Sequence, residues 1–152
     1  MTATKPRLAI ADVDATAYQA VLGLEQYARG GDLETPLLEL VKIRASEING
    51  CAFCLDMHLR DARERGEDQR RLDVLPGWHE VRSLYTEREQ AALALTEAVT
   101  RIADHGVPDE VWDAASEQFS DAELVRLLVA IATINVWNRL AISTRQQPPD
   151  TD

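Results

Sequence analysis

Cys51 and Cys54 are the only cysteines in the chain, and His58 follows the second of them by four residues. At about 3.6 residues per turn, positions i, i+3 and i+7 lie along one helix face, so in a helical segment all three side chains can meet. The preceding Asn49-Gly50 is a helix-stop signal, which places both sulfurs in the first turn of the next helix. Free backbone N–H groups and the positive end of the helix dipole stabilise a thiolate there, so both cysteines are predicted to titrate below the free value of about 8.5. His58, one turn beyond Cys54, is placed to take its proton directly or through water, the logic of an activated thiol nucleophile. Glu39 sits in the segment before the break. If the two helices fold back on each other, a carboxylate there faces the imidazole and holds its tautomer.

Plainer readings of the same residues exist. A bridge between Cys51 and Cys54 would close too small a loop to constrain the unfolded chain, which favours chemistry over stapling. Zinc on Cys51, Cys54 and His58 would need a fourth ligand, but there is no second cysteine pair and His79 and His105 stand at no ligand spacing, so no metal is expected. The plain reading of Glu39 is a surface ion pair with Lys42, contributing about 0.3 to 0.5 kcal/mol. His105, before Gly106, suits a helix C-terminus, and His79 beside Trp78 suits the surface. Asn135, in phase with Leu124, Leu128 and Ile131, reads as a packing or interface residue that must find hydrogen-bond partners.

The elements that must position these residues are helices. No segment alternates apolar and polar residues with β-branched enrichment beyond the short stretch from Arg7 to Ile10, so the fold class is all-α. Asp14 caps a first helix to about Arg29 that turns Tyr18, Val21, Leu22 and Tyr27 toward a core and stops at Gly30-Gly31. Thr35 as N-cap and Pro36 open a second through Leu37, Leu40, Val41 and Ile48. The third runs from the cysteines to about Arg65, followed by a short polar segment and a turn at Pro76-Gly77. Thr86 with Glu89, and Ser120 with Glu123, fit capping boxes that open two long helices. The first carries Ala92, Leu95, Val99 and Ile102, and the second, apolar nearly all round from Leu127 to Trp137, is central. Pro108 opens a shorter helix between them with Val111, Trp112, Ala115 and Phe119.

A chain of 152 residues suits one domain with its own core, and 45% hydrophobic residues exclude disorder for most of the length. The net charge of −10 opposes nucleic acid and anionic lipid as partners. The longest apolar run, Leu127 to Trp137, is shorter than a bilayer span, so no membrane partner is expected. No signal-peptide pattern opens the sequence, so the expected location is cytoplasmic.

The string Glu39, eleven residues, Cys51, two residues, Cys54, three residues, His58 resembles the core motif of the AhpD-like alkylhydroperoxidases, which are grouped with the carboxymuconolactone decarboxylases. ELVKIRASEINGCAFCLDMH is similar to the heart of that family, and INVWNRLAI resembles its closing helix. The similarity covers nearly the whole chain: one AhpD-like helical bundle over 1–152, with the core motif at 36–60 and a flexible tail from about 146. It implies a thiol peroxidase without a cofactor, in which Cys54 attacks a hydroperoxide, Cys51 resolves the sulfenic acid as a disulfide, and His58 with Glu39 relays the proton. It also implies a dithiol reductant of protein or lipoyl type and a homotrimer or homohexamer. Phe53 and Met57, flanking the cysteines, could line an apolar mouth for an organic hydroperoxide. The best-studied peroxidases of the family carry a second His immediately before the second cysteine, where this chain has Phe53. The decarboxylases generally lack the cysteine pair, so lactone decarboxylation is not what the resemblance implies. The alternative reading is a dithiol redox sensor or oligomeric binding module without significant peroxide turnover.

Overall fold

The computed structural model describes residues 4–150, and among them there is no strand. In chain order the helices are α1 (Ile10–Val13), α2 (Ala15–Arg29), α3 (Thr35–Asn49), α4 (Ala52–Glu64), α5 (Gln69–Val74), α6 (Glu87–Thr100), α7 (Ile102–His105), α8 (Asp109–Gln118) and α9 (Asp121–Thr144). Two of them form the interior. α3 is buried without a break from Leu37 to Ser46 and packs on α4, α6 and α9. α9 is crossed by α2, α3 and α6.

Three clusters of side chains hold this arrangement. Leu37, Val41, Leu95, Leu127 and Ile131 join α3, α6 and α9. Leu40, Ile43, Leu72, Leu75, Trp78 and Leu93 pack around the region after α4. Ala45, Ile134 and Ala141 enclose the two cysteines. Each buried Leu or Ile contributes about 1.5–3 kcal/mol relative to exposure, so α3 and α9 carry much of the stability and give the cysteines a rigid floor.

Several helix ends follow the side-chain chemistry of the sequence. The Asp14 carboxylate accepts from Ala17 N–H at 3.1 Å, and both capping boxes, Thr86/Glu89 and Ser120/Glu123, are formed. Gly50 lies in the left-handed region (φ 69°), and Cys51 N–H closes the turn on Ser46 O at 3.0 Å. A side chain there would be strained, so the reversal that sets α4 against α3 depends on this glycine.

Other expectations need correction. The N-cap of α3 is Glu34, with Thr35 the first helical residue; the Glu34 carboxylate is drawn away to Arg88 instead of capping. The segment after Gly66 is no simple polar loop. Asp68 accepts from Arg70 and Arg71 N–H to open α5, and Leu72, Leu75 and Trp78 are buried. Ile102 lies outside α6, exposed on the short α7, because Arg101 leaves the helical region (φ −100°, ψ 36°). Tyr27 is exposed rather than turned toward the core; α2 turns Ala28 inward, and Tyr27 instead lies beneath the Arg126 guanidinium. α9 extends well past the apolar run at both ends and is long and apolar enough to cross a membrane, yet it is the core helix, burying Leu124, Leu127, Ala130, Ile131, Ile134 and Ala141. The expected tail begins with an anchored residue: Gln146 N–H bonds to Ala141 O at 2.9 Å.

Candidate active site

Cys51 caps α4 and Cys54 is its third residue, so both occupy the first turn as the Asn49-Gly50 break predicts. They are free thiols, both buried, with sulfurs 2.8 Å apart in a hydrogen bond. At that distance the pair cannot readily carry two negative charges. Cys51 is accordingly held down to about 7, first by the hydrogen bond with Cys54 and, against the cost of burial, by the Cys54 and Phe53 backbone and the Asn138 amide. Cys54 is pushed up by the same hydrogen bond, by burial and by the Cys51 charge. The expectation that both thiols are lowered is therefore wrong: one proton is shared and one sulfur pays for the other's ionisation.

His58 is buried on α4, and its Nδ1 lies 3.0 Å from Glu39 Oε2 on α3. Glu39 is only 2% exposed. Burial pushes its carboxyl up, but the hydrogen bond and charge of His58, then Lys42 and Arg29, hold it below its usual value. The surface pair of Glu39 with Lys42 does not exist. Lys42 is itself fully buried and bonds to Glu25, while Arg29 spans Glu25 Oε1 at 2.6 Å and Glu39 Oε1 at 3.4 Å.

Cys54 and His58 open on one cavity of about 260 Å³. Its apolar wall is Tyr18, Leu22, Phe53, Met57 and Trp137, with Tyr18 and Trp137 tilted against each other at 5.3 Å. Glu25, Arg29 and Gln146 supply its polar edge. The motif thus places Cys54 and His58 on this cavity, while Glu39 is reached from behind through His58.

Asn138 escaped the sequence reading. Ile134, Asn138 and Ala141 share one face of α9, and the outer two pack on the cysteines. The fully buried Asn138 donates to Ser46 Oγ at 3.0 Å and accepts from Asn49 Nδ2 at 2.9 Å, and its amide helps to hold Cys51 down. The available signal was a second asparagine in INVWNRLAI, three residues after Asn135 and in phase with the apolar Ile134 and Ala141. Asn135, three residues earlier, donates to Thr100 Oγ1 and Ile131 O and accepts from Asn49, which makes it a packing residue. His79 stacks on the buried Trp78 at 3.7 Å and bonds to Glu97 at 2.8 Å, remote from the cysteines in the described contacts.

For a metal, the described residues bring ligating atoms of Glu39, His58 and Asp61 within 4.8 Å of one another, a different set from the cysteine-based one considered above. Arg29 beside Glu39 places a positive charge against any cation there.

The thiol pair carries a stability prediction. A depressed folded-state value contributes stability that is complete above the unfolded value and lost as pH falls through the folded one. Cys51 should therefore make the reduced protein gain stability from about pH 7 to 9, and Cys54, raised, should withdraw stability above about pH 9. Urea unfolding of reduced minus oxidised protein across pH should show that maximum, and a flat difference would contradict the shared-proton pair.

The carboxymuconolactone decarboxylase family pattern matches residues 15–98. An uncharacterized protein of Bacillus subtilis (strain 168), YdfG, is 36% identical over 137 residues, covering 90% of this chain and 92% of its own. A protein of unknown function from Agrobacterium tumefaciens, described as a putative antioxidant defence protein AhpD, superposes with TM-score 0.93 at 41% identity, over 97% of this chain and 100% of that one. The AhpD core of an uncharacterized peroxidase-related protein from Ralstonia eutropha JMP134 shares the fold at TM-score 0.77 and 20% identity, over 92% and 74% of the two chains. The chain belongs to the carboxymuconolactone decarboxylase family and is one of its AhpD-like members.

Proposed function

We propose that the protein is a thiol-dependent peroxidase that reduces organic hydroperoxides through a Cys51/Cys54 dithiol–disulfide cycle. The observation that carries this reading is the cavity onto which Cys54 and His58 open together, with Cys51 2.8 Å from Cys54. In the dithiol, His58 takes the first proton of the pair, and Glu39 on Nδ1 leaves the other ring nitrogen free to accept it. The remaining proton passes from Cys54 to Cys51 across their 2.8 Å contact as the Cys54 thiolate attacks the peroxide. The O–O bond breaks, Cys54 becomes a sulfenic acid, and the alkoxide takes the proton from His58 to leave as alcohol. Cys51 then attacks the Cys54 sulfur, its proton leaves with the hydroxyl as water, and the disulfide forms. Asn138 stabilises the thiolate from below. An external dithiol, of protein or lipoyl type, returns two hydrogens by exchange.

The apolar wall favours an organic peroxide over hydrogen peroxide. We read the assembly as a homotrimer or homohexamer acting in the cytoplasm; Val13, Leu24, Val125 and Ile142 leave exposed apolar surface for such contacts.

Steady-state consumption of an organic hydroperoxide with several dithiol donors tests the reading, with intact mass after one equivalent of oxidant. Turnover and loss of two hydrogens within the chain are expected. Disulfide formation without turnover under every donor would leave a redox sensor instead, and an unchanged thiol count would defeat the cycle itself.

A further inference from the structure

Behind the Glu39–His58 pair lies a set of charges that the cysteine chemistry does not use. Lys42 has no exposed surface and its cationic form is disfavoured by burial, yet it is retained with Glu25 as its partner. Arg29 ties Glu25 to Glu39. Two helices supply one acid and one base each: Glu25 and Arg29 from α2, Glu39 and Lys42 from α3. The remaining charges around the pair are Asp61 on the histidine's own helix, and Arg65 and Glu67, of opposite sign, in a cleft that Glu39 also lines.

A buried carboxylate alone beside an imidazole would favour the imidazolium, which cannot act as a base. Arg29 and Lys42 together offset Glu39 and Glu25, so these four charges sum to zero and, among the described residues, the partly exposed Asp61 is the one carboxylate beside the imidazole outside that balance. We propose that Glu25, Arg29 and Lys42 are positioning residues whose charge balance sets the protonation of His58, with Arg29 also fixing the Glu39 carboxylate through its second oxygen. The inference rests on the reading of His58 as the base in peroxide reduction, but the balance itself can be measured without turnover. It makes a prediction of sign. Removing one cation leaves excess negative charge and moves the imidazole toward the imidazolium, whereas removing Lys42 together with its partner Glu25 restores the sum. A purely structural role in joining α2 to α3 would not distinguish these cases in that way.

The experiment is a ¹⁵N NMR titration of the His58 ring in the oxidised protein, where no thiolate titrates beside it, with the resonances assigned by their loss in His58→Gln. Lys42→Met and Arg29→Gln should each raise the midpoint by about half a unit to one unit. The double variant Glu25→Gln/Lys42→Met should return it close to the parent, and it is the variant least exposed to folding failure because no buried charge is left without its partner. Arg29 is partly exposed, so its replacement supplies an independent measurement should Lys42→Met fail to fold. Midpoints that stay put in the single variants, or that move equally in the single Lys42 and double variants, would overturn the charge balance. In the reduced proteins, pH profiles of the peroxide reaction should shift in the same order. If the NMR order holds and the rates ignore it, the charge balance is supported and the base role of His58 is what falls.

Discussion

Cys54→Ser is expected to reduce peroxide consumption to background, a loss of roughly 10³-fold or more, because a serine hydroxyl in the same turn is not ionised near neutral pH and no other thiol lines the cavity. Cys51→Ser should behave differently. Cys54 still reaches the peroxide, so one equivalent reacts and the chain stops as a sulfenic acid, visible as the addition of one oxygen by intact mass. Stopped-flow peroxide loss with mass spectrometry separates the two variants. The reverse pattern, with Cys51→Ser inert and Cys54→Ser turning over once, would exchange the two roles. That comparison matters because ionisation and access point to different sulfurs: Cys51 is the one held down to about 7, whereas Cys54 is the one on the cavity. The 2.8 Å separation reconciles them, since a proton can move between the sulfurs as attack begins.

Asn138→Leu is expected to have the second large effect, on both reactivity and stability. Losing the amide removes one of the smaller influences that hold Cys51 down, so its midpoint should rise somewhat above about 7 while the Cys54 contact keeps most of the depression, lowering alkylation at pH 7 by roughly twofold. The substitution also strips Ser46 Oγ of its buried donor and Asn49 of one acceptor, and a buried polar group left unpaired costs about 1–3 kcal/mol. Iodoacetamide alkylation across pH and urea unfolding measure the two effects. Asn138→Asp separates them: its carboxylate keeps an acceptor for Asn49 but sets negative charge against the thiolate, so reactivity should fall further than stability. An alkylation profile unchanged in both variants would remove Asn138 from the site.

The Phe53 position shows how the chain departs from the pattern it resembles. Where the best-studied peroxidases carry a second histidine, Phe53 forms part of the cavity wall with Met57 and Trp137. In the proposed cycle the proton path then runs through His58 and Glu39, and the surface beside Cys54 is apolar.

The sequence alone determined much of what depends on local periodicity and local capping, though it misplaced the start of α3 at Thr35 and carried α6 past its end at Thr100. Helical spacing set Cys51, Cys54 and His58 in one segment, Asn49-Gly50 marked the reversal, and the two hydroxyl–glutamate pairs marked helix starts that the structure forms. A separation of 19 positions across one reversal was also enough to suggest that Glu39 meets His58, because two helices joined through only Gly50 and Cys51 fold back on each other. Long-range pairing decided the rest. Whether Lys42 belonged to Glu39 or to Glu25 depended on how α2 lies across the bundle, and residues 17 apart on different helices have no periodicity linking them. Asn138 reaches the cysteines from the far end of the chain, and only the burial of α9 shows which of its faces looks at them. The thiol values could not follow from the helix dipole, because that field acts on both sulfurs alike, whereas a contact of 2.8 Å between them lets one ionise only at the other's expense.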